Sequence, residues 1–234
     1  MRTRLITLFS FLLITSFFVS AQKDVTTFLG IPVDGTKSAM KQKLINKGFT
    51  PTKIKGQDYL EGVFNGTKVQ VYIVTNNNKV YRIMVADENT LDEANIKIRF
   101  NTLVSQFEHN KRYTGPTLEE NDQRIPDDEK IYYEMTVNNK VYEAVFYQKP
   151  DDNKVDTVAL KENLLQAIYD KYTPEELQNA TDEIKREVMI SSLVVMEELL
   201  RKKTVWFRIE KYYNDFYIVM YYDNVYNQAN GEDL

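Results

Sequence analysis

Four stretches in the first half of the chain alternate apolar and polar residues with the two-residue period of a half-buried strand. They lie near residues 49 to 55, 58 to 64, 67 to 75 and 79 to 86. Gly66 and the three asparagines at 76 to 78 separate the later stretches and tolerate the positive φ of tight turns. The pattern therefore predicts an antiparallel meander of four strands.

A helix is predicted immediately before the meander. Thr36 is placed to cap its first turn, and Met40 and Leu44 lie on one apolar face. Gly48 follows as the residue that adopts the left-handed conformation after a helix end.

A second helix is predicted to follow the meander, over residues 91 to 110. Thr90 and Glu93 have the spacing of a capping box at its start. Its apolar residues recur at four, three and four positions, which is typical of an amphipathic helix. They are Ile96, Phe100, Leu103 and Phe107.

The second half of the chain contains four further predicted strands. They cover 130 to 137, 140 to 148, 204 to 211 and 215 to 223. The five residues Asn-Asn-Lys-Val-Tyr occur at 77 to 81 and again at 138 to 142, where the pattern predicts a second hairpin turn. True duplication and the chemistry of hairpin turns explain this repetition about equally well, and both explanations stay open.

A helical hairpin is predicted between these strand pairs, over residues 150 to 203. A first helix covers about 157 to 171, and Thr173 with Glu176 forms the capping box of a second that runs to Lys203. From residue 188 to 200 the second helix is apolar nearly all round. We expect that stretch to be buried on most sides or shared with a partner.

These elements together predict an α+β fold. Its antiparallel sheet has about eight strands in two α-β4 halves, 22 to 112 and 113 to 234, with helices packed on one face and the hairpin 150 to 203 inserted.

The first 21 residues have the pattern of a signal peptide. Arg2 and Arg4 precede an apolar run of residues 5 to 19, and Ala21 ends a stretch of small residues that a signal peptidase accepts. The apolar run is short for a membrane-spanning helix. We therefore expect an exported protein of the periplasm or cell surface, with no membrane span after cleavage.

Charge argues against some partners. Cleavage lowers Lys and Arg from 30 to 28 against 34 Asp and Glu, which gives the mature chain a net charge of −6. An acidic chain repels nucleic acid and anionic lipid surfaces. The chain has no cysteine, so thiol nucleophiles, thiolate metal sites and disulfides are excluded.

Catalytic chemistry has one candidate cluster. The single histidine, His109, falls at a predicted helix end, where its charge suits the helix dipole without any catalytic role. Paired carboxylates of a polar loop are the alternative, because a carboxylate-dependent hydrolase needs two acids close together. These carboxylates are Glu119, Glu120, Asp122, Asp127, Asp128 and Glu129. A solvated loop explains them more simply, and we expect no metal and no cofactor.

Tyrosines of the last strand are the strongest candidates for binding. Alternation puts Tyr217 and Tyr221 on one face of the strand and Tyr222 on the other, so both faces are apolar. One face should meet the helices, and the other meets the insertion or stays open as a surface rich in tyrosine. We take Tyr213, Tyr217, Tyr221 and Tyr222 as candidate ligand-binding residues for a protein or a surface glycan, without catalysis.

Two segments carry a resemblance to a known family. The start, FLGIPVDG at 28 to 35, and the end, YYDN at 221 to 224 with NGEDL at 230 to 234, resemble a family of uncharacterised exported proteins of Gram-negative gut anaerobes. The predicted fold is also similar to the tandem repeats of beta-lactamase inhibitor proteins and, less closely, to small outer-membrane assembly factors. The resemblance implies export and an α+β fold rather than an activity.

N-terminal sequencing of the exported protein should give Gln22 as the first residue, because the charged segment, the apolar run and the small residues all agree. Recovery of a chain that starts at Met1 or retains the apolar run would contradict export by cleavage.

Overall fold

The computed structural model describes residues 23–54, 56–116, 122–151 and 157–229. The predicted signal peptide lies outside the described residues.

The strands form one large and one small sheet. They are β1 Thr27–Phe28, β2 Ile31–Pro32, β3 Thr50–Ile54, β4 Gln57–Phe64, β5 Thr67–Asn76, β6 Lys79–Asp87, β7 Tyr113–Thr114, β8 Glu143–Gln148, β9 Thr204–Tyr212 and β10 Asp215–Asp223. Strands β3 to β10 make an antiparallel sheet in the order β3-β4-β5-β6-β10-β9-β8-β7, and β1 pairs with β2. The predicted α+β class and the eight-stranded antiparallel sheet are confirmed.

Six helices complete the described part of the chain. They are α1 Lys37–Asn46, α2 Glu93–His109, α3 Ile131–Val137, α4 Thr157–Tyr169, α5 Pro174–Gln178 and α6 Asp182–Arg201. Within the described ranges, no helix is both long and apolar enough to cross a bilayer.

The core lies between one face of the large sheet and the first three helices. Helices α1 and α2 bury their predicted apolar faces against it, and α3 contributes the fully buried Ile131. The strands contribute alternate residues such as Val71, Val85, Phe207 and Met220. We call this side the first face of the sheet. The core takes residues from both predicted halves, and the division at residue 113 stays a prediction.

Helix α1 ends as the sequence predicts. The amide of Gly48 donates to the carbonyl of Ile45 at 2.9 Å, and the amide of Phe49 donates to the carbonyl of Leu44 at 3.2 Å. This pair of bonds is a Schellman motif, in which Gly48 has φ 96°. Phe49 and Leu44 are both buried in the core.

The start of α2 differs from its prediction. Asp92, and not Thr90, is the N-cap, since its carboxylate accepts a bond from the amide of Asn95 at 2.8 Å. Thr90 donates instead to the carboxylate of Asp215 at 3.3 Å. The predicted capping box with Glu93 is therefore wrong, because Asp is as good a cap as Thr and stands nearer the first helical residue.

The predicted strand over 130 to 137 is wrong, because these residues form α3. The repeated Asn-Asn pair explains the error. Asn77 and Asn78 both have positive φ and turn a hairpin, whereas Asn138 stays right-handed and Asn139 alone has φ 53°. That one left-handed residue ends a helix, with the amide of Lys140 bonded to the carbonyl of Glu134. The same five residues thus stand in two different structures.

The predicted single helix from Pro174 to Lys203 is in fact two helices. The capping box of Thr173 and Glu176 is confirmed, but it opens only the short α5. Thr181 then caps α6 by accepting a bond from the amide of Ile184 at 3.3 Å. A second capping residue can restart a helix where the first one ends.

Much of α6 is exposed. It contacts α4 and β8, and its buried residues are Ser191, Glu197 and Leu200. Met189, Ile190, Val194 and Met196 are exposed. The expectation that the chain itself buries this stretch on most sides is therefore wrong, because these four apolar residues are 40 to 59% exposed. Cover by a partner stays a prediction.

Gly48→Val should lower the free energy of unfolding by about 1 kcal/mol or more, because a β-branched residue is strained at positive φ. A Cβ at Gly48 would have no heavy atom within 4 Å, so the cost comes from the backbone alone. Gly115, which is equally open but has no positive φ, supplies the control Gly115→Val. Equal denaturation midpoints for the two variants would contradict this account.

Candidate functional site

The second face of the sheet carries the candidate site. Strand alternation directs six long aromatic and cationic side chains of β5, β6, β9 and β10 to this side. We call them the tyrosine face: Tyr72, Arg82, Trp206, Arg208, Tyr217 and Tyr221. A small cluster of strand residues, Ala86, Val219 and Tyr221, is buried among them. Apart from Tyr221, the six are half-buried.

Stacked rings and guanidinium groups form the centre of the tyrosine face. Trp206 and Tyr221 stack with ring centroids 4.0 Å apart and planes 18° apart. The Arg82 guanidinium lies 4.9 Å from the Tyr221 ring and 5.5 Å from the Trp206 ring. Arg208 lies 5.9 Å from the Trp206 ring. These distances allow cation–π attraction on two sides of the aromatic pair.

The side chain of Asp223 holds Arg82 and Trp206 in place by hydrogen bonds. It is 5% exposed, and its carboxylate accepts two bonds from Arg82, at 2.5 and 2.8 Å. The indole of Trp206 donates a third bond at 2.9 Å. The hydrogen bond and ion pair with Asp223 raise the pKa of Arg82, so its guanidinium stays charged. Three donors offset the desolvation of the carboxylate and hold the rings in one orientation.

A second ion pair borders the aromatic centre. The guanidinium of Arg208 donates to the carboxylate of Glu210, with Nε and Oε1 2.6 Å apart. Desolvation is the largest single influence and opposes the charge of Arg208, but the hydrogen bond and ion pair with Glu210 and the contacts with Tyr221 together outweigh it, so the pKa of Arg208 is raised. The tyrosine face therefore displays cations that stay charged at neutral pH.

The phenols of this face are neutral donors. Burial is the first cause that raises the pKa of Tyr72, Tyr217 and Tyr221 above its ordinary value. A protonated phenol is a poor nucleophile but a good hydrogen-bond donor at the end of an apolar ring. The arrangement is suited to recognition.

The four predicted tyrosines lie in three places. Tyr217 and Tyr221 belong to the tyrosine face. Tyr222 points to the first face, where it is 3% exposed and packs on Phe28 with ring centroids 4.9 Å apart. Tyr213 lies at the tip of the β9–β10 hairpin, 81% exposed and with φ 53°. The four therefore do not form one site.

Two of the four described carboxylates of the acidic loop, Asp122 and Glu129, make ion pairs. Asp122 accepts a bond from the amide of Arg124, and this bond and the Arg124 side chain lower its pKa. Glu129 accepts bonds from Lys140 and Tyr142, both at 2.5 Å, which lower its pKa. Glu119 and Glu120 lie outside the described residues.

His109 lies at the C-terminal end of α2, as predicted. Its Nδ1 is 2.7 Å from the carbonyl oxygen of Ser105, one turn earlier. The part of the chain that the structure describes contains no group of three or more His, Asp or Glu residues placed to hold a metal ion.

Sequence reasoning did not find Tyr72, Arg82, Trp206 and Arg208. Trp206 and Arg208 stand two residues apart in a predicted strand, which places them on one face. Their proximity to Tyr221 depends on the register of β9 with β10, in which Trp206 pairs with Tyr221. A local pattern does not contain that register.

Comparison of the chain with protein-family models, with curated proteins and with solved structures finds no match in any of the three. The resemblance to exported proteins of gut anaerobes stays a prediction. The class of protein that the fold defines is an α+β protein with one large antiparallel sheet.

Asp223→Asn should lower the free energy of unfolding by about 2 kcal/mol or more, because it leaves the half-buried Arg82 without its counter-charge. Chemical denaturation followed by Trp206 fluorescence measures the change. Asp122→Asn is the matched control, since its pair with Arg124 is exposed and should leave the midpoint unchanged. Equal midpoints for both variants would contradict the role of Asp223.

Proposed function

We propose that this protein is a non-catalytic binding module, exported to the periplasm or the cell surface, whose tyrosine face binds another protein. The observation that carries the proposal is the stack of Trp206, Tyr221 and Arg82 on a half-exposed sheet surface.

The residue types of the tyrosine face support a protein partner. Tryptophan, tyrosine and arginine are the residues that most often dominate binding energy at protein interfaces. Tyrosine and tryptophan add large contact areas for little loss of conformational entropy. A glycan partner would need a ring face free for stacking, whereas Arg82, Arg208 and Tyr221 already lie against Trp206.

The rigid support of the face also favours binding. Asp223 fixes Arg82 and Trp206, and Glu210 fixes Arg208, so these side chains lose little freedom when a partner binds. The half-buried carboxylate of Glu210 adds a hydrogen-bond acceptor beside Arg208. Such a surface offers apolar area and charge together.

The alternative of a carboxylate-dependent hydrolase has less support. A glycosidase needs one carboxylic acid that keeps its proton near neutral pH. Asp122 and Glu129 have the opposite tendency, because their cationic and amide partners favour the ionised form. No observation on the described residues of the loop favours catalysis.

Tyr217→Ala should reduce capture of the partner about tenfold or more, because it removes a half-exposed ring from the tyrosine face. The measurement is affinity capture by the mature protein from an envelope extract of its own organism, quantified by mass spectrometry. Tyr133→Ala is the matched control, since Tyr133 is exposed on α3 and belongs to no part of this face.

Treatment of the extract separates the possible ligands. A protein partner is lost after protease treatment and survives periodate, whereas the reverse result would assign a glycan. Capture that is equal for both variants would contradict a role for the tyrosine face. If the protein releases reducing sugar from envelope glycans and mutation of Glu129 abolishes this release, the result would support the hydrolase alternative.

A further inference from the structure

A cavity of about 450 Å³ opens on the first face of the sheet, away from the tyrosine face. It lies between the β1–β2 hairpin, the β4–β5 turn, the end of α2 and the segment that leads into β7. Its volume falls within the range of small-molecule sites, roughly 300 to 1,000 Å³.

The floor of the cavity is apolar and fixed. Tyr222, Phe107 and Met220 are core residues that also line the cavity. The Tyr222 ring packs on Phe28, and the Phe107 ring meets Tyr113 edge-on with centroids 4.8 Å apart. Because the core already orders these rings, a ligand does not have to order them.

One wall of the cavity carries a chain of polar groups. The buried side-chain amide of Gln148 accepts a bond from the Thr27 amide at 2.8 Å and donates to the Thr27 carbonyl at 2.7 Å. It also donates to the Tyr113 hydroxyl at 3.1 Å. Since the Tyr113 oxygen accepts that bond, its own proton remains available as a donor. The Tyr222 hydroxyl bonds to the sulfur of Met220 at 3.3 Å.

Arg112 is the one charged residue among the lining residues. Its backbone is held on both sides, because its amide donates to the Asn110 side chain and its carbonyl accepts from the Lys149 amide. Among the described residues, the guanidinium makes no ion pair within 4 Å. Burial is the main cause that raises the pKa of Tyr222, and the charge of Arg112 is close enough to oppose that shift. Arg112, an exposed cation without an ion pair among the described residues, therefore shares the lining of the cavity with the phenols of Tyr113 and Tyr222.

The rim of the cavity includes an apolar residue, Leu29, in a strained backbone conformation. Leu29 and Gly30 turn the β1–β2 hairpin with φ 51° and 77°, and Asn65 with Gly66 turns the next hairpin with φ 50° and 75°. Asn-Gly suits such a turn, but leucine is strained there. Leu29 is 38% exposed and lines the cavity, so the strained position holds an apolar side chain at the opening.

We propose that this cavity binds a small carboxylate with an apolar body, such as a medium-chain fatty acid. The apolar body occupies the floor formed by Phe107, Met220 and Tyr222, and the carboxylate accepts bonds from Arg112 and the Tyr113 hydroxyl. Arg112 supplies the counter-charge that the lining lacks otherwise. This site is independent of the proposed protein-binding function.

Titration of the ¹⁵N-labelled mature protein with decanoate tests the proposal, with shifts of Leu29, Gly30, Arg112 and Tyr113 amides as the readout. Decanol, which has the same chain without the charge, should bind about tenfold more weakly or not at all. Arg112→Gln should weaken decanoate binding by about tenfold, because a charged hydrogen bond is lost. Lys111→Gln, the same change of charge one residue away and outside the lining, should leave the affinity unchanged.

Four results would overturn the proposal. The first three are no binding of decanoate, equal affinity of Arg112→Gln and the wild type, and amide shifts that map to the tyrosine face instead. An equal loss for Lys111→Gln would assign the effect to bulk charge and not to a contact in the cavity, and would overturn it too.

Discussion

The pairing of β6 with β10 is the constraint on which the structure depends. It pairs residues that are far apart in the chain, such as Val85 and Met220, and joins strands β3 to β6 with strands β7 to β10 in one sheet. We call this β6–β10 pairing the seam. The end of β10 also forms hydrogen bonds with residues 26 and 33, on either side of the β1–β2 hairpin. Asp223 accepts a bond from Thr26 through its carbonyl, and the side chain of Asn224 donates to the carbonyl of Val33. Arg82 and Asp223, 141 positions apart, add an ion pair at the same seam.

This seam determines what each face of the sheet can do. On the first face, Met220 and Tyr222 continue the row of Val85 and Ile83, so the helices cover one continuous core. On the second face, the same register places Asp223 beside Arg82, and the pairing of β10 with β9 brings Trp206 onto Tyr221. A buried ion pair adds little net stability compared with apolar packing, but breaking it is costly, so it favours one register over others. The tyrosine face and the core are therefore two results of one strand alignment.

Local sequence patterns predicted the helices and strands better than they predicted which strands pair with each other. The period-2 stretches of the first half predicted strands β3 to β6 correctly, and Gly48 marked the end of α1, because both signals depend on neighbouring residues only. The prediction of a strand over residues 130 to 137 failed because tyrosine, isoleucine and valine favour strands. Burial of Ile131 and the left-handed conformation of Asn139 favour a helix instead. Asn tolerates the left-handed conformation in a hairpin and after a helix alike. The candidate site was half predicted for the same reason: Tyr217 and Tyr221 follow from alternation, but Arg82 and Trp206 join them only through pairing between distant strands.

Native-state hydrogen exchange followed by NMR tests most directly whether the seam unites the two halves of the chain. The amides of Ile83 and Val85 in β6 and of Met220 and Tyr222 in β10 should exchange with one common opening free energy, equal to that of global unfolding. The amides of β8 and β9 should not open as a separate unit below that value. Exchange of β8 to β10 at a clearly lower free energy, with β3 to β6 still protected, would show two independent units and contradict the account.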